Sequence, residues 1–202
     1  MSLEENEQND TEAPLGAKLS KDDQIETNWG EISEQLGVPE IVERFEDMEI
    51  NPKILRGLFT YGFEEPSSIQ QRGVIAVNTG RHVIAQAQSG TGKTATFVLG
   101  TLNRIDLDLP KCQVLVLAPT RELANQIYDV YNAIGYHLKA DGFEVLACVG
   151  GTSVDEDQRA LRKGVHIVVG TPGRVRHLAE NGDLQLKHIR SFVLDEAFPN
   201  SS

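Results

Sequence analysis

Five short runs in this chain are apolar at consecutive positions, and that constrains its fold more than any other feature. They are His82–Ala87 (HVIAQA), Val114–Pro119 (VLVLAP), Glu144–Val149 (EVLACV), His166–Gly170 (HIVVG) and Phe192–Asp195 (FVLD). A strand without polar–apolar alternation has both faces covered, as in parallel sheets packed between helices. Between the runs, apolar residues recur three and four apart. The clearest such stretch starts at Arg121 and places Leu123, Ile127, Val130, Ile134 and Leu138 on one face. Others span Pro52–Tyr61, Ser67–Asn78, Gly92–Arg104, Asp155–Lys163 and Gly173–Asn181. Strand and helix in turn predict βαβ units and an α/β fold with a doubly wound parallel sheet.

Composition narrows the class. Hydrophobic residues are 40% and charged residues 24% of 202, a globular balance. No run of 18 apolar residues exists, which argues against a membrane span, and the acidic N-terminus lacks the apolar core of a secretory signal. Cys112 and Cys148 stand singly in apolar runs with no CxxC spacing, so they read as core thiols of a reducing compartment. The net charge of -11 would disfavour a nucleic-acid partner if it were evenly spread. It is not: residues 1–40 carry 11 acidic side chains against Lys18 and Lys21, and the rest of the chain nets only -2. A near-neutral body leaves room for a local phosphate-binding surface. Residues 1–24 read as a disordered acidic tail. Residues 25–40, with Trp29, Ile32 and Leu36 at helical spacing, fit either a docked segment or a solvated linker.

Ala87-Gln88-Ser89-Gly90-Thr91-Gly92-Lys93-Thr94 has the phosphate-loop pattern, with Ala in the usual first Gly position. It follows an apolar run and opens a helix, so backbone N–H groups and the helix N-terminus can face a polyphosphate. Lys93 suits the β- and γ-phosphates, and the Thr94 hydroxyl suits Mg²⁺. Asp195-Glu196 closes the last apolar run, at the sheet edge where ligands bind in such folds. There Asp195 can hold Mg²⁺ through water while Glu196 orients and deprotonates an attacking water. The pair is a weak signal alone; with the upstream loop it predicts nucleoside-triphosphate hydrolysis. No NKxD tetrapeptide for guanine occurs, and the five histidines show no ligand spacing.

With these residues placed, the sequence resembles the DEAD-box ATP-dependent RNA helicases. Gly62-Phe63-Glu-Glu-Pro66-Ser-Ser-Ile69-Gln70 is similar to their adenine-reading Q motif, and Phe45 lies where the family places an aromatic residue that stacks on the base. AQSGTGKT matches motif I, Pro119-Thr120-Arg121-Glu-Leu-Ala124 motif Ia, Gly150-Gly151 the glycine doublet, Thr171-Pro-Gly173-Arg174 motif Ib and Asp195-Glu196-Ala197 the start of motif II. The likeness is strongest to the translation-initiation helicase and its exon-junction and ribosome-biogenesis relatives, through IETNW, FEDM, ILRG and IAQAQSGTGKTATF. It implies a RecA-like phosphate-loop fold that uses ATP and Mg²⁺. Phe45, Phe63, Gln70 and residues 87–94 would hold the nucleotide, with Lys93 and Glu196 catalytic. The RNA backbone would run over Pro119, Thr120, Arg121, Gly150, Gly151, Thr171, Gly173 and Arg174. Gln70 has a physical reading too: an amide that donates and accepts at once can pair with the N6 and N7 edge of adenine. Initiation-factor or RNP scaffold proteins are the implied partners and no membrane is. The implied location is cytoplasmic, with a nuclear or nucleolar alternative.

The resemblance divides the chain into an acidic tail (1–40), a Q-motif region (41–71), a first helicase domain incomplete at its C-terminus (72–197) and a non-family tail (198–202). Phe198 stands where the family has the second Asp of motif II, and neither the SAT motif nor a second RecA-like domain occurs in these residues. In the family a further strand lies between the phosphate-loop strand and the motif II strand. Without it, apolar edges would be exposed in mid-sheet. Low or absent RNA-stimulated hydrolysis and no unwinding are therefore expected of the chain alone. The alternatives are a catalytically silent ATP- or partner-binding isoform, and a gene-model product that never folds stably.

Overall fold

The computed structural model describes Glu34 and residues 41–88 and 90–196. The readings on the acidic tail, the Trp29 segment, Ser89, Ala197 and residues 198–202 lie outside the described residues. Six helices, α1 (Pro52–Tyr61), α2 (Ser68–Asn78), α3 (Lys93–Leu102), α4 (Arg121–Ile134), α5 (Val154–Lys163) and α6 (Pro172–Glu180), accompany four strands among these residues. The strands are β1 (Val114–Leu117), β2 (Val145–Cys148), β3 (Ile167–Gly170) and β4 (Ser191–Leu194). All pair in parallel in the order β2-β3-β1-β4, with Val114 beside both Ile167 and Ser191.

Local chemistry sets the helix ends. α1 opens on Pro52, where a missing N–H costs nothing, and the Asn51 carboxamide oxygen accepts from Lys53 N–H at 2.9 Å. It stops at Gly62, whose φ of 106° suits a residue without Cβ. Thr120 caps α4 by accepting from Leu123 N–H at 3.2 Å. α5 carries Asp155, Glu156 and Asp157 in its first turn and Arg162 and Lys163 in its last, matching the helix dipole.

The sheet separates two apolar layers. Val114, Val116, Ile167 and Val169 face α1, α3 and α4 through Ile54, Leu58, Val98, Leu99, Ile127 and Ile134. Leu115 and Val168 face the other way, onto Val175 and Leu178 of α6. Phe45, Met48 and Leu58 belong to the first layer, so the Q-motif region shares the core of the rest. Tyr131 is fully buried there, and its hydroxyl pairs with Thr101 Oγ1 at 2.7 Å, so the polar tip is satisfied.

Both cysteines are free and buried, as the sequence predicts. Burial pushes the Cys112 thiol up to about 12 and raises that of Cys148 as well. Thiolate is the reactive form. A colorimetric thiol reagent should therefore label neither residue in native protein at pH 8 and both after denaturation.

One predicted element is absent. Residues 82–87 form no strand, and Ile84 is 95% exposed. A strand needs a partner edge. Both edges of β1 are occupied, by β3 and β4, and residues 82–87 do not pair with the outer edge of β4. That edge is itself unpaired among the described residues, and Phe192 and Leu194 are each 56% exposed. Residues 82–87 and the outer edge of β4 are thus both unpaired among the described residues.

Candidate nucleotide site and the adjoining sheet edge

The phosphate loop sits between the unpaired residues 82–88 and α3. Gly90 and Gly92 have φ of 80° and 96°, and Gly92 is the N-cap of α3. A Cβ on Gly92 would collide with the Gln70 amide. The Gln88 carbonyl accepts from Thr91 Oγ1 at 2.8 Å and from Lys93 Nζ at 2.8 Å, and Lys93 Nζ also donates to the Ala87 carbonyl. The lysine cation is thereby held over its own loop at the helix N-terminus, where polyphosphate recognition requires it.

The Q-motif region is bonded to this loop. Ser67 Oγ donates to the Thr91 carbonyl at 2.8 Å, and Gln70 Nε2 donates to the Gly92 carbonyl at 3.4 Å. Gln70 Oε1 accepts from Ser67 N–H at 2.9 Å. One expectation is extended here and another changes. Gln70 is 2% exposed and each end of its amide makes one hydrogen bond, so it stands as a strut under the loop as well as carrying the expected adenine-reading amide. Phe45 has no exposed surface; its ring packs edge-on against Phe59 and Phe63, at 6.4 and 6.2 Å, because an aromatic ring gains more in the core than beside water. Phe63, partly buried, lies stacked against the exposed Tyr61 at 5.9 Å.

Asp195 arrives at the same edge on β4, its N–H donating to the Leu117 carbonyl at 3.0 Å. Burial raises its pKa, while the Glu196 N–H and the Lys93 charge pull it down. Glu196 follows with φ of 50°, a left-handed backbone that breaks the strand there. The residues fit Mg-ATP: a glycine loop at a helix start, a cation over it, a hydroxyl at Thr94 and a partly buried carboxylate opposite. Concavities of about 560 Å³ on α1 and about 350 Å³ beside Tyr61 and Gln126 lie off this centre, although Thr94 lines the second. Among the described residues no strand pairs with the outer edge of β4 beside the site.

A raised folded-state pKa means that the ionised Asp195 carboxylate opposes folding. The cost is absent below the ordinary carboxylate range, about pH 4, and grows as pH rises through the folded-state value. Asp195→Asn should therefore melt higher than the parent without ligand, by a margin that opens as pH rises above about 4 and levels off above the folded-state value. The same variant should lose the Mg²⁺-dependent part of its stabilisation by ATP. Thermal melts from about pH 4 to 7 check both.

Further along the edge, Pro119, Thr120, Arg121, Gly151 and Gly173 are exposed, and Gly150 and Thr171 partly so. A Cβ on Gly151, where φ is 86°, would come within 2.7 Å of the Arg121 guanidinium, so the two turns meet. Thr171 is the N-cap of α6, and its N–H donates to the Cys148 carbonyl at 3.1 Å. Arg174 departs from the expectation of an open phosphate ligand. Its guanidinium is paired with the buried Asp157 and with Thr152, because a charge this enclosed needs a counter-charge. Sequence reasoning missed Ser67 and Asp157. Ser67 was readable as the first residue of an S-x-x-Q helix start. Asp157 was not, since in the run DED it looks like any solvated acid.

A glycine loop at a helix start, a lysine over it and an acid at the end of a parallel strand define a RecA-like phosphate-loop domain. The family model for DEAD/DEAH box helicases matches residues 67–197, and the chain belongs to that family. It is 58% identical over 158 residues to Eukaryotic initiation factor 4A-3 of Arabidopsis thaliana, and 53% identical over 158 residues to Eukaryotic initiation factor 4A of Caenorhabditis elegans. These matches take in 78% of this chain but only 37% and 39% of those proteins. Among solved structures, Saccharomyces cerevisiae Dbp5 bound to RNA and ADP BeF3 superposes with a TM-score of 0.70 at 35% identity, covering 77% of this chain and 39% of that one. A DEAD box protein from Methanococcus jannaschii gives 0.70 at 32% identity, covering 78% and 42%. The chain thus spans about two fifths of the relatives it matches.

Proposed function

We propose that residues 41–196 are the ATP-binding part of an RNA helicase that acts in translation initiation. The observation that carries this is the phosphate loop itself: Gly92 caps α3 with φ of 96° and Lys93 Nζ is held over the Ala87 and Gln88 carbonyls, in a chain that matches the DEAD/DEAH box helicase model over residues 67–197. Mg²⁺, held by Thr94 and Asp195, would supply charge neutralisation at the phosphates. Lys93 would hold the β- and γ-phosphates, and the Glu196 carboxylate would take the proton of the attacking water. Adenine preference remains with Gln70, whose Oε1 and Nε2 each keep one further hydrogen-bonding position. RNA would lie along Thr120, Arg121, Gly150, Gly151 and Thr171 and be held by its backbone, with little sequence preference and marked salt sensitivity. The likeness to initiation factors supports a cytoplasmic site of action with RNP or initiation-factor proteins as partners.

The arginine fingers that the family keeps in a second domain contribute about 10³–10⁵ in related phosphoryl transfer. A polypeptide of these 202 residues, assayed without such a domain, should bind Mg-ATP yet turn it over slowly, with little stimulation by RNA. A phosphate-release assay with and without RNA tests this; RNA-stimulated turnover typical of complete family members would refute it. A second reading, an ATP- or partner-binding protein without turnover, is favoured by the open β4 edge, an edge at which another chain could pair.

A further inference from the structure

Arg174 and Asp157 form the most enclosed ion pair among the described residues, with side chains 9% and 6% exposed. Arg174 Nη1 donates to Asp157 Oδ2 and, at 3.3 Å, to Thr152 Oγ1, while Nη2 donates to the Thr152 carbonyl at 2.7 Å. Thr152 Oγ1 in turn donates to the Val149 carbonyl at 2.9 Å, closing the turn that contains Gly150 and Gly151. That turn carries Gly151, against which the Arg121 guanidinium packs. One connected path therefore runs from Asp157 on α5 through Arg174 on α6 to Thr152, the glycine turn and Arg121 on α4. A phosphate could claim Arg174 only by displacing a buried carboxylate and leaving it unpaired, which is costly. The fork is instead spent on holding the turn.

We propose that Asp157 is a positioning residue for RNA: it fixes Arg174 as the clasp of the Gly150–Thr152 turn, and Arg174 itself touches no phosphate. The proposal rests on reading this edge as the RNA track. Direct contact by Arg174 predicts the opposite sign in one variant. Asp157→Asn releases the cation from its carboxylate, so a phosphate-binding Arg174 would hold RNA more tightly. A clasp loses its anchor, and RNA affinity falls on the order of tenfold, the scale seen when a residue that only orients a contacting group is changed. Arg174→Lys keeps the charge but not the planar fork. It should lose about as much as Asp157→Asn if Arg174 is a clasp, and little if it is a simple phosphate contact.

The test is fluorescence anisotropy of a labelled ten-nucleotide oligouridylate with the full chain, Mg²⁺ and a non-hydrolysable ATP analogue, at several salt concentrations. The expected result is weaker binding by both variants, an unchanged salt slope for Asp157→Asn and an unchanged thermal shift by Mg-ATP. Should Asp157→Asn fail to fold, Arg174→Lys carries the same comparison. Wild type that binds RNA while Asp157→Asn binds equally or more tightly overturns the proposal and leaves the RNA reading intact. Wild type that binds no RNA removes the RNA reading, and the proposal falls with it.

Discussion

Gly57→Ala should destabilise the protein by about 2 kcal/mol, although alanine is the better helix former by about 1 kcal/mol. The sign follows from one contact. A Cβ at position 57 would fall on the carbonyl oxygen of Ile134, where α1 crosses the C-terminal end of α4. The obstacle is backbone, so no side-chain rotation relieves it. α1 would have to move off α4 and open the layer that holds Ile54, Leu58, Ile127 and Ile134. Against a total stability of about 5–15 kcal/mol, such a loss is large. Urea melts of parent and variant measure it; a midpoint equal to or above the parent would show that the helices cross with room to spare.

Lys93→Ala should remove most of the stabilisation that Mg-ATP confers while leaving the ligand-free melt unchanged. The amine donates only to loop carbonyls at Ala87 and Gln88, and residues 81–88 pack against little, so its loss costs the fold almost nothing. Towards a triphosphate it is a cation set over the loop. A charge-assisted hydrogen bond contributes about 1.5–3 kcal/mol. At a nucleotide concentration 100 times the parent Kd, parent stability rises by about 2.7 kcal/mol, and the variant should keep about 1 kcal/mol or less. A parent-sized shift in the variant, read by thermal melts with Mg-ATP, would place the phosphates elsewhere.

The layered fold was legible because its signals are local. Four of the five non-alternating runs became adjacent parallel strands, and the helix from Arg121 formed as far as Ile134, burying Ile127 and Ile134 of the expected face together with Ala124 and Tyr131, while Leu138 is buried in the following 3-10 turn. The fifth run, 82–87, failed for a reason that no local pattern contains: a strand exists only if another strand offers it an edge. The site divides in the same way. The placing of Gly92, Lys93 and Thr94 at the start of α3 and of Asp195 at the end of β4 was readable, since each follows from a local turn or run. The environments of Phe45, Gln70 and Arg174 were not readable. Each has a side chain whose chemistry suits a ligand and a fold-mate that reaches it first: Phe63 for the ring, Ser67 and Gly92 for the amide, Asp157 for the guanidinium. Burial of polar groups is decided by tertiary partners, and a single sequence does not name them.

The central claim is that residues 41–196 build a Mg-ATP site from the phosphate loop, the Q-motif strut and Asp195. Isothermal titration of the 202-residue chain with ATP and GTP, each with and without Mg²⁺, addresses it most directly. The account predicts one saturable ATP site that weakens when Mg²⁺ is removed and weakens further for GTP. A chain that melts cooperatively yet takes up no Mg-ATP would contradict it.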